Sequence, residues 1–213
     1  MKYKAILFDM DGTLLDTLTD MASAVNHILS VHGWPLRTTE EVRAFVGNGA
    51  RRLMERAVPP EITGEAFEAV LTEYRDWYQA HNCVDTAPYP GIPALLDVLA
   101  AAGVKTAVVS NKPDATTRAL AARFFPGLPT FGQRDDVPPK PAPDLVFRAL
   151  ETLGVETADA AYVGDSEVDV ATARNAGLPL AAVSWGFRGR QALAEAGADT
   201  IADTAEQLLA LLQ

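Results

Sequence analysis

A chain of 213 residues with 48% apolar and 22% charged side chains is long enough to bury a core and too apolar to remain disordered. Its 28 acidic residues against 18 basic leave a net charge of -10, which excludes a nucleic-acid surface built on concentrated Lys and Arg. The single cysteine, Cys83, excludes an intrachain disulfide, and no apolar run is long enough for a signal peptide or a membrane span, so the expected location is cytoplasmic.

In chain order, Ala5 to Phe8 is a short continuous apolar run, the pattern of a strand buried on both faces. It stops at Asp9 and Asp11, with Gly12 and Thr13 following. From Thr17, Leu18, Met21, Ala22, Val25, Ile28 and Leu29 recur at helical spacing, Thr17 and Asp20 stand in capping-box positions, and Gly33 is a stop. Three more helices, Thr39 to Phe45, Ala50 to Ala57 and Glu65 to His81, follow with no strand between them. The last carries one apolar stripe of Phe67, Val70, Leu71, Tyr74, Trp77 and Tyr78, which bundle packing explains without a cofactor.

After "TAPYPG" strand and helix alternate. The pattern predicts helix Ile92 to Ala102, strand Lys105 to Val109, helix Asp114 to Phe124, helix Pro143 to Leu153, strand Ala160 to Val163, helix Val168 to Asn175 and strand Leu180 to Val183. Repeated βα units imply an α/β fold, a Rossmann-like doubly wound parallel sheet whose ligands bind beyond the carboxyl ends of the strands. Residues 1–14 and 88–213 are the expected catalytic core, and the all-helical stretch 15–87 an inserted helical cap.

The residues that carry chemistry stand at the strand ends. Asp9 and Asp11 follow the first strand; taken alone, Asp-x-Asp-Gly-Thr could be a turn and helix cap. "SNKP" ends the strand at Lys105 to Val109, and there the Ser110 hydroxyl with Asn111 and neighbouring backbone N–H groups can hold a phosphate oxygen. Lys140 lies in the proline-rich loop "PPKPAPD" and can supply fixed positive charge to an anion. "GDSEVD" ends the strand at Ala160 to Val163. Ser166 and Asp169 have capping-box spacing, whereas Asp165 beside Asp9 and Asp11 requires a compensating cation, for which oxygen ligands and an anionic substrate favour Mg2+.

Asp9-Met10-Asp11-Gly12-Thr13, Ser110, Lys140 and Gly164-Asp165 with Asp169 together resemble the four motifs of the haloacid dehalogenase superfamily, in order. The resemblance implies that Asp9 attacks phosphorus to form an aspartyl-phosphate and that Asp11 is the acid and base. It also implies that Mg2+ is held by Asp9, the Asp11 carbonyl and Asp165, with Asp169 a further ligand or outer partner, and that Ser110 and Lys140 hold the phosphoryl oxygens. Asp11 argues against the dehalogenase branch. The absence of lysine from residues 15–87 argues against the phosphonate-cleaving branch.

In the cap, "VGNGARRLMERA" places Gly47 and Gly49 before a helix whose free N–H groups can face an anion, with Arg51 following. This stretch, and "SWGFRG" at Ser184 to Gly189 with Arg188 able to reach the cap, resemble the phosphoglycolate phosphatase subgroup. The expected substrate is a small phosphorylated metabolite, 2-phosphoglycolate first. A β-phosphoglucomutase-like isomerase, another sugar-phosphate phosphatase, a pyrophosphatase and a silent phospho-ligand sensor remain the alternatives, and oligomeric state is not legible.

Overall fold

The computed structural model describes residues 1–213. Strand β1 (Ala5–Phe8) leads through a two-residue strand β2 (Leu15–Asp16) into four helices, α1 (Leu18–Val31), α2 (Thr39–Phe45), α3 (Gly49–Ala57) and α4 (Gly64–His81), and the chain returns through β3 (Ala87–Pro88). There follow α5 (Ile92–Ala101), β4 (Lys105–Pro113), α6 (Asp114–Phe124), β5 (Thr130–Gln133), α7 (Asp144–Leu153), β6 (Ala160–Gly164), α8 (Glu167–Ala176), β7 (Leu180–Val183), α9 (Gly189–Glu195), β8 (Ile201–Ala202) and α10 (Ala205–Leu212). No helix is long and apolar enough to cross a membrane.

Six strands form one parallel sheet in the order β5-β4-β1-β6-β7-β8. Strand side chains alternate between faces, and β1 shows it. Ile6 and Phe8 pack with Ile92, Leu95 and Leu99 of α5, Leu120 of α6 and Leu208 of α10. Ala5 and Leu7 face Val146 and Leu150 of α7 and Ala173 of α8 on the other side. The central strand therefore has no polar face, and its flanking partners β4 and β6 bring three adjacent carboxyl ends to one edge, where α/β sheets bind ligands.

Helices α1 to α4 bury their own cluster, including Val25, Leu29, Val42, Leu53, Met54, Leu71 and Tyr74. Full burial of a side chain such as Leu71 contributes roughly 1.5–3 kcal/mol, and truncating it to alanine costs about 2–5 kcal/mol once the cavity is included. Of the α4 stripe, Trp77 alone is not fully buried; it stacks between His27 and His81. The chain leaves and returns through the antiparallel pairing of β2 with β3, Leu15 opposite Pro88 and Asp16 opposite Ala87.

Two local expectations are corrected. Thr17 and Asp20 do not form a capping box: Thr17 makes no side-chain cap bond and its hydroxyl donates to Asp11 at 2.8 Å. The buried Asp20 carboxylate instead accepts the backbone N–H groups of Val84, Asp85 and Thr86 and the Thr86 hydroxyl. Strands β5 and β8 also join the sheet where the sequence pattern indicated none; β5 is a half-polar "TFGQ" and β8 only two residues long.

Candidate active site

Asp9 is the first residue beyond β1. Its backbone N–H bonds to the Val163 carbonyl, and its carboxylate accepts from the Met10 N–H at 2.7 Å and pairs with the Lys140 ammonium at 3.0 Å. Lys140 is buried, and all three of its N–H donors are used, toward Asp9, Asp169 at 2.8 Å and the Tyr162 hydroxyl at 3.0 Å. Burial alone lowers a lysine's pKa; here the Asp169 and Asp9 carboxylates outweigh it and hold the ammonium well above its usual value.

Asp165 stands past β6, with one oxygen accepting from the Thr13 hydroxyl at 3.1 Å and the other from the Phe187 N–H at 2.7 Å. Gly12 permits this approach: its φ is +82°, and a Cβ there would overlap the Asp165 carboxylate. Ser166 and Asp169 form the expected capping box at the start of α8. Asp169 has both oxygens engaged, one by Lys140 and Tyr162, the other by the Ser166 N–H and hydroxyl. Those contacts suit an anchor for Lys140 better than a direct metal ligand.

Carboxylate oxygens of Asp9, Asp165 and Asp169 lie within 4.8 Å of one another. The Asp9 carboxyl is pushed up to about 7, by burial first and with help from Asp169 and Asp11, while Lys140 pulls the other way. Burial, then Asp169 and Asp9, likewise hold Asp165 well above the usual carboxylate range. Four carboxylates, Asp9, Asp11, Asp165 and Asp169, face only two ammonium groups, Lys140 and Lys112. A divalent cation would offset that acidic excess, and an all-oxygen donor set fits a hard ion.

Ser110 lies at the end of β4 in the wall of the cavity, and its hydroxyl accepts the Lys112 N–H at 3.3 Å, leaving its own proton to donate. Asn111 lines the same cavity, and its side chain also braces the loops around it. Its Oδ1 accepts the Lys140 N–H at 2.7 Å, and its amide donates to the Lys140 and Gly47 carbonyls. It thus ties the Lys140 loop to the α2–α3 loop.

Asp11 takes the Thr17 hydroxyl and the Lys112 ammonium. Lys112 is a buried residue that the sequence pattern did not single out. Its one signal is its place two residues after Ser110, on the same face of the strand. Tyr162, buried behind Lys140, gave no signal beyond an apolar strand.

Helices α1, α3 and α4 roof the site, leaving a cavity of about 360 Å³ lined by Asp9, Asp11, Gly47, Gly49, Ser110 and Lys112 among others. Gly47 and Gly49 have φ of +115° and +85°. A Cβ on Gly49 would stand 3.3 Å from the Asn111 carbonyl oxygen, and one on Gly47 would stand 3.2 Å from the Arg188 guanidinium. Arg188 spans the two parts, pairing with Glu167 and donating to the Arg43 and Val46 carbonyls. Arg51 is corrected: it points out of the cavity into a two-pronged, exposed pair with Glu68.

Residues 6–183 match the family model of the haloacid dehalogenase-like hydrolases. The chain is 33% identical to an N-acetylmuramic acid 6-phosphate phosphatase of Pseudomonas aeruginosa, across 100% of this chain and 96% of that one. It is 34% identical to a phosphoglycolate phosphatase of Pseudomonas savastanoi pv. phaseolicola, across 97% and 78%. Among solved structures it resembles a Lactobacillus delbrueckii subsp. bulgaricus protein provisionally named a phosphoglycolate phosphatase, with a TM-score of 0.94, 37% identity and coverage of 100% and 99%. With paired aspartates, a buried lysine and an acidic cluster at the sheet's edge, the chain belongs to the haloacid dehalogenase-like hydrolases and is a phosphatase of that family.

Proposed function

We propose that this phosphatase hydrolyses a small acidic phosphomonoester, 2-phosphoglycolate first, through an aspartyl-phosphate on Asp9, with residues 15–87 as a cap that closes on the β2–β3 pair. The carrying observation is the partly open cavity, which has Asp9, Asp11 and Ser110 on its floor and Gly47, Gly49 and the amide end of α3 in its roof. That roof offers a second negative group backbone N–H groups at close range.

An Asp9 oxygen attacks phosphorus as the ester P–O bond breaks, and Asp11 gives its proton to the departing alkoxide. Asp11 then takes a proton from water as that water attacks phosphorus and the Asp9–phosphorus bond breaks, releasing inorganic phosphate and restoring both carboxyl groups. Lys140 holds Asp9, and Ser110 donates to a phosphoryl oxygen. Asp9, Asp165 and the Asp11 carbonyl would hold Mg2+, which supplies charge neutralisation at the phosphoryl oxygens. Phosphate monoesters need accelerations of up to ~10²¹, so aimed positive charge must carry much of the barrier.

A second reading, the 6-phosphate of an acidic amino sugar, draws on the relative matched nearly end to end and on the apolar wall of Met21, Leu53, Tyr74 and Phe187. A phosphate-release screen with and without Mg2+ over 2-phosphoglycolate, N-acetylmuramic acid 6-phosphate, glucose 1-phosphate and pyrophosphate decides. The highest kcat/KM is expected for 2-phosphoglycolate. Dominance of the amino-sugar phosphate would move the substrate reading, and isomerisation of glucose 1-phosphate would replace hydrolysis by mutase chemistry.

A further inference from the structure

The Lys112 side chain is buried against the proposed acid/base and is not part of the mechanism above. It lies at the end of β4, and its ammonium meets Asp11 Oδ1 at 2.9 Å, Asp11 Oδ2 at 3.2 Å and the Tyr78 hydroxyl at 2.7 Å. Tyr78 belongs to α4, in the helical roof, so the lysine joins the roof to a reacting group on the floor. The next residue, Gln79, accepts from Thr116 of α6 at 2.6 Å. The last turns of α4 are therefore pinned to the β4–α6 junction at two adjacent points.

The two oxygens of Asp11 are treated unequally. Oδ1 takes both the Thr17 hydroxyl at 2.8 Å and the shorter Lys112 bond, whereas Oδ2 has only the longer Lys112 contact. Oδ1 is thus the anchored oxygen and Oδ2 the one available to a leaving group or a water. Thr17 sits where the chain enters the helical part, just past β2, so both anchors of Oδ1 report on how that part is seated.

We propose that Lys112, held by Tyr78, is a positioning residue that fixes the Asp11 carboxylate for proton transfer only when the helical roof is seated on the core. The proposal rests on the reading of Asp11 as acid and base. An acid/base group contributes roughly 10²–10⁴-fold, and a small displacement of such a group forfeits a large part of it. Loss is therefore expected in kcat more than in KM.

The test is single-turnover phosphoenzyme formation with two leaving groups. p-Nitrophenolate leaves p-nitrophenyl phosphate without a proton, whereas the alkoxide leaving the alkyl phosphate taken best by the wild type needs one. Lys112→Met is expected to slow the alkyl phosphate by about 10²-fold and p-nitrophenyl phosphate far less. Lys112→Arg should recover part of the loss, and Tyr78→Phe, which removes one hydroxyl and leaves the buried ring, should show the same selectivity at several-fold. Equal losses on both substrates, or a rise in KM alone, would overturn the proposal. Should Lys112→Met fail to fold, Tyr78→Phe decides, and absence of leaving-group selectivity in it overturns the proposal. Asp11→Asn in the same assay separates the two readings: if it lacks the selectivity, the acid/base reading fails; if it shows it and the Lys112 and Tyr78 variants do not, the positioning proposal alone fails.

Discussion

Asp20→Ala removes a carboxylate that organises the return of the chain from the four helices. Asp20 is 2% exposed and accepts from the N–H groups of Val84 at 3.0 Å, Asp85 at 3.0 Å and Thr86 at 2.9 Å, and from the Thr86 hydroxyl at 2.7 Å. Val84 and Asp85 are exposed, so water can replace the acceptor there at small cost. Thr86 is buried, and its two bonds have no substitute. Hydrogen bonds to a charged group contribute roughly 1.5–3 kcal/mol each, which for the two Thr86 bonds predicts a loss of about 3–6 kcal/mol out of the ~5–15 kcal/mol typical of a folded chain. Asp20→Asn keeps one acceptor oxygen and the shape and should lose less than half as much. The assay is urea unfolding at neutral pH, paired with limited proteolysis of the segment 82–86, where cleavage should accelerate in the alanine variant. A loss below about 1 kcal/mol with unchanged proteolysis would refute the assignment of Asp20 as the tie.

Other expectations concern the site. Gly49→Val forces a β-branched residue to a φ of +85° and into the Asn111 carbonyl, at roughly 1–2 kcal/mol for the backbone alone; kcat/KM should fall about tenfold, and an unchanged value would contradict the tight seating of the α2–α3 loop. Arg51→Ala should leave kcat/KM within about twofold, since an exposed pair contributes ~0–1 kcal/mol to stability and does not face the cavity; a large loss would return Arg51 to the site. In the metal-free protein the Asp9 carboxyl is raised from 3.8 to about 7. Its contribution to stability is therefore fully present below about pH 4 and lost as pH rises through about 7. Thermal midpoints should show Mg2+ stabilising more at pH 8 than at pH 5, with Asp9→Asn flattening the dependence; a pH-independent Mg2+ effect would count against Asp9 as a ligand.

Much of the core was legible because buried parallel strands leave continuous apolar runs, and the residues that interrupt them, Asp9, Ser110 and Asp165, stand where the runs end. The Ser166–Asp169 capping box was legible because helix starts have local signatures, whereas Lys140 stood out only through the resemblance carried by the four motifs together. Contacts made across the fold were not legible. Asp20 looks like a capping residue because its spacing from Thr17 is right, yet its partners lie more than sixty residues away. Arg51 looked poised for an anion because the sequence does not reveal that Glu68, on the neighbouring helix, captures it. Asn111 and Lys112 sit in a recognisable strand end, but whether a polar side chain there faces substrate or props up its neighbours depends on three-dimensional partners such as Tyr78. Strands of two residues, such as β2 and β3, are too short to carry a period.

Nucleophilic catalysis by Asp9 requires a covalent phosphoryl group on that residue. Wild type and Asp11→Asn would be mixed with 2-phosphoglycolate or p-nitrophenyl phosphate and Mg2+, quenched in acid within milliseconds to seconds, and the intact protein and its peptides weighed. The expected result is a mass increase of one phosphoryl group on the peptide that holds Asp9, lost on treatment with hydroxylamine, accumulating to a higher level with p-nitrophenyl phosphate in Asp11→Asn because that variant cannot activate the hydrolytic water, and absent from Asp9→Asn. Turnover with no phosphoenzyme at any quench time, or a phosphoryl group on another residue, would contradict it.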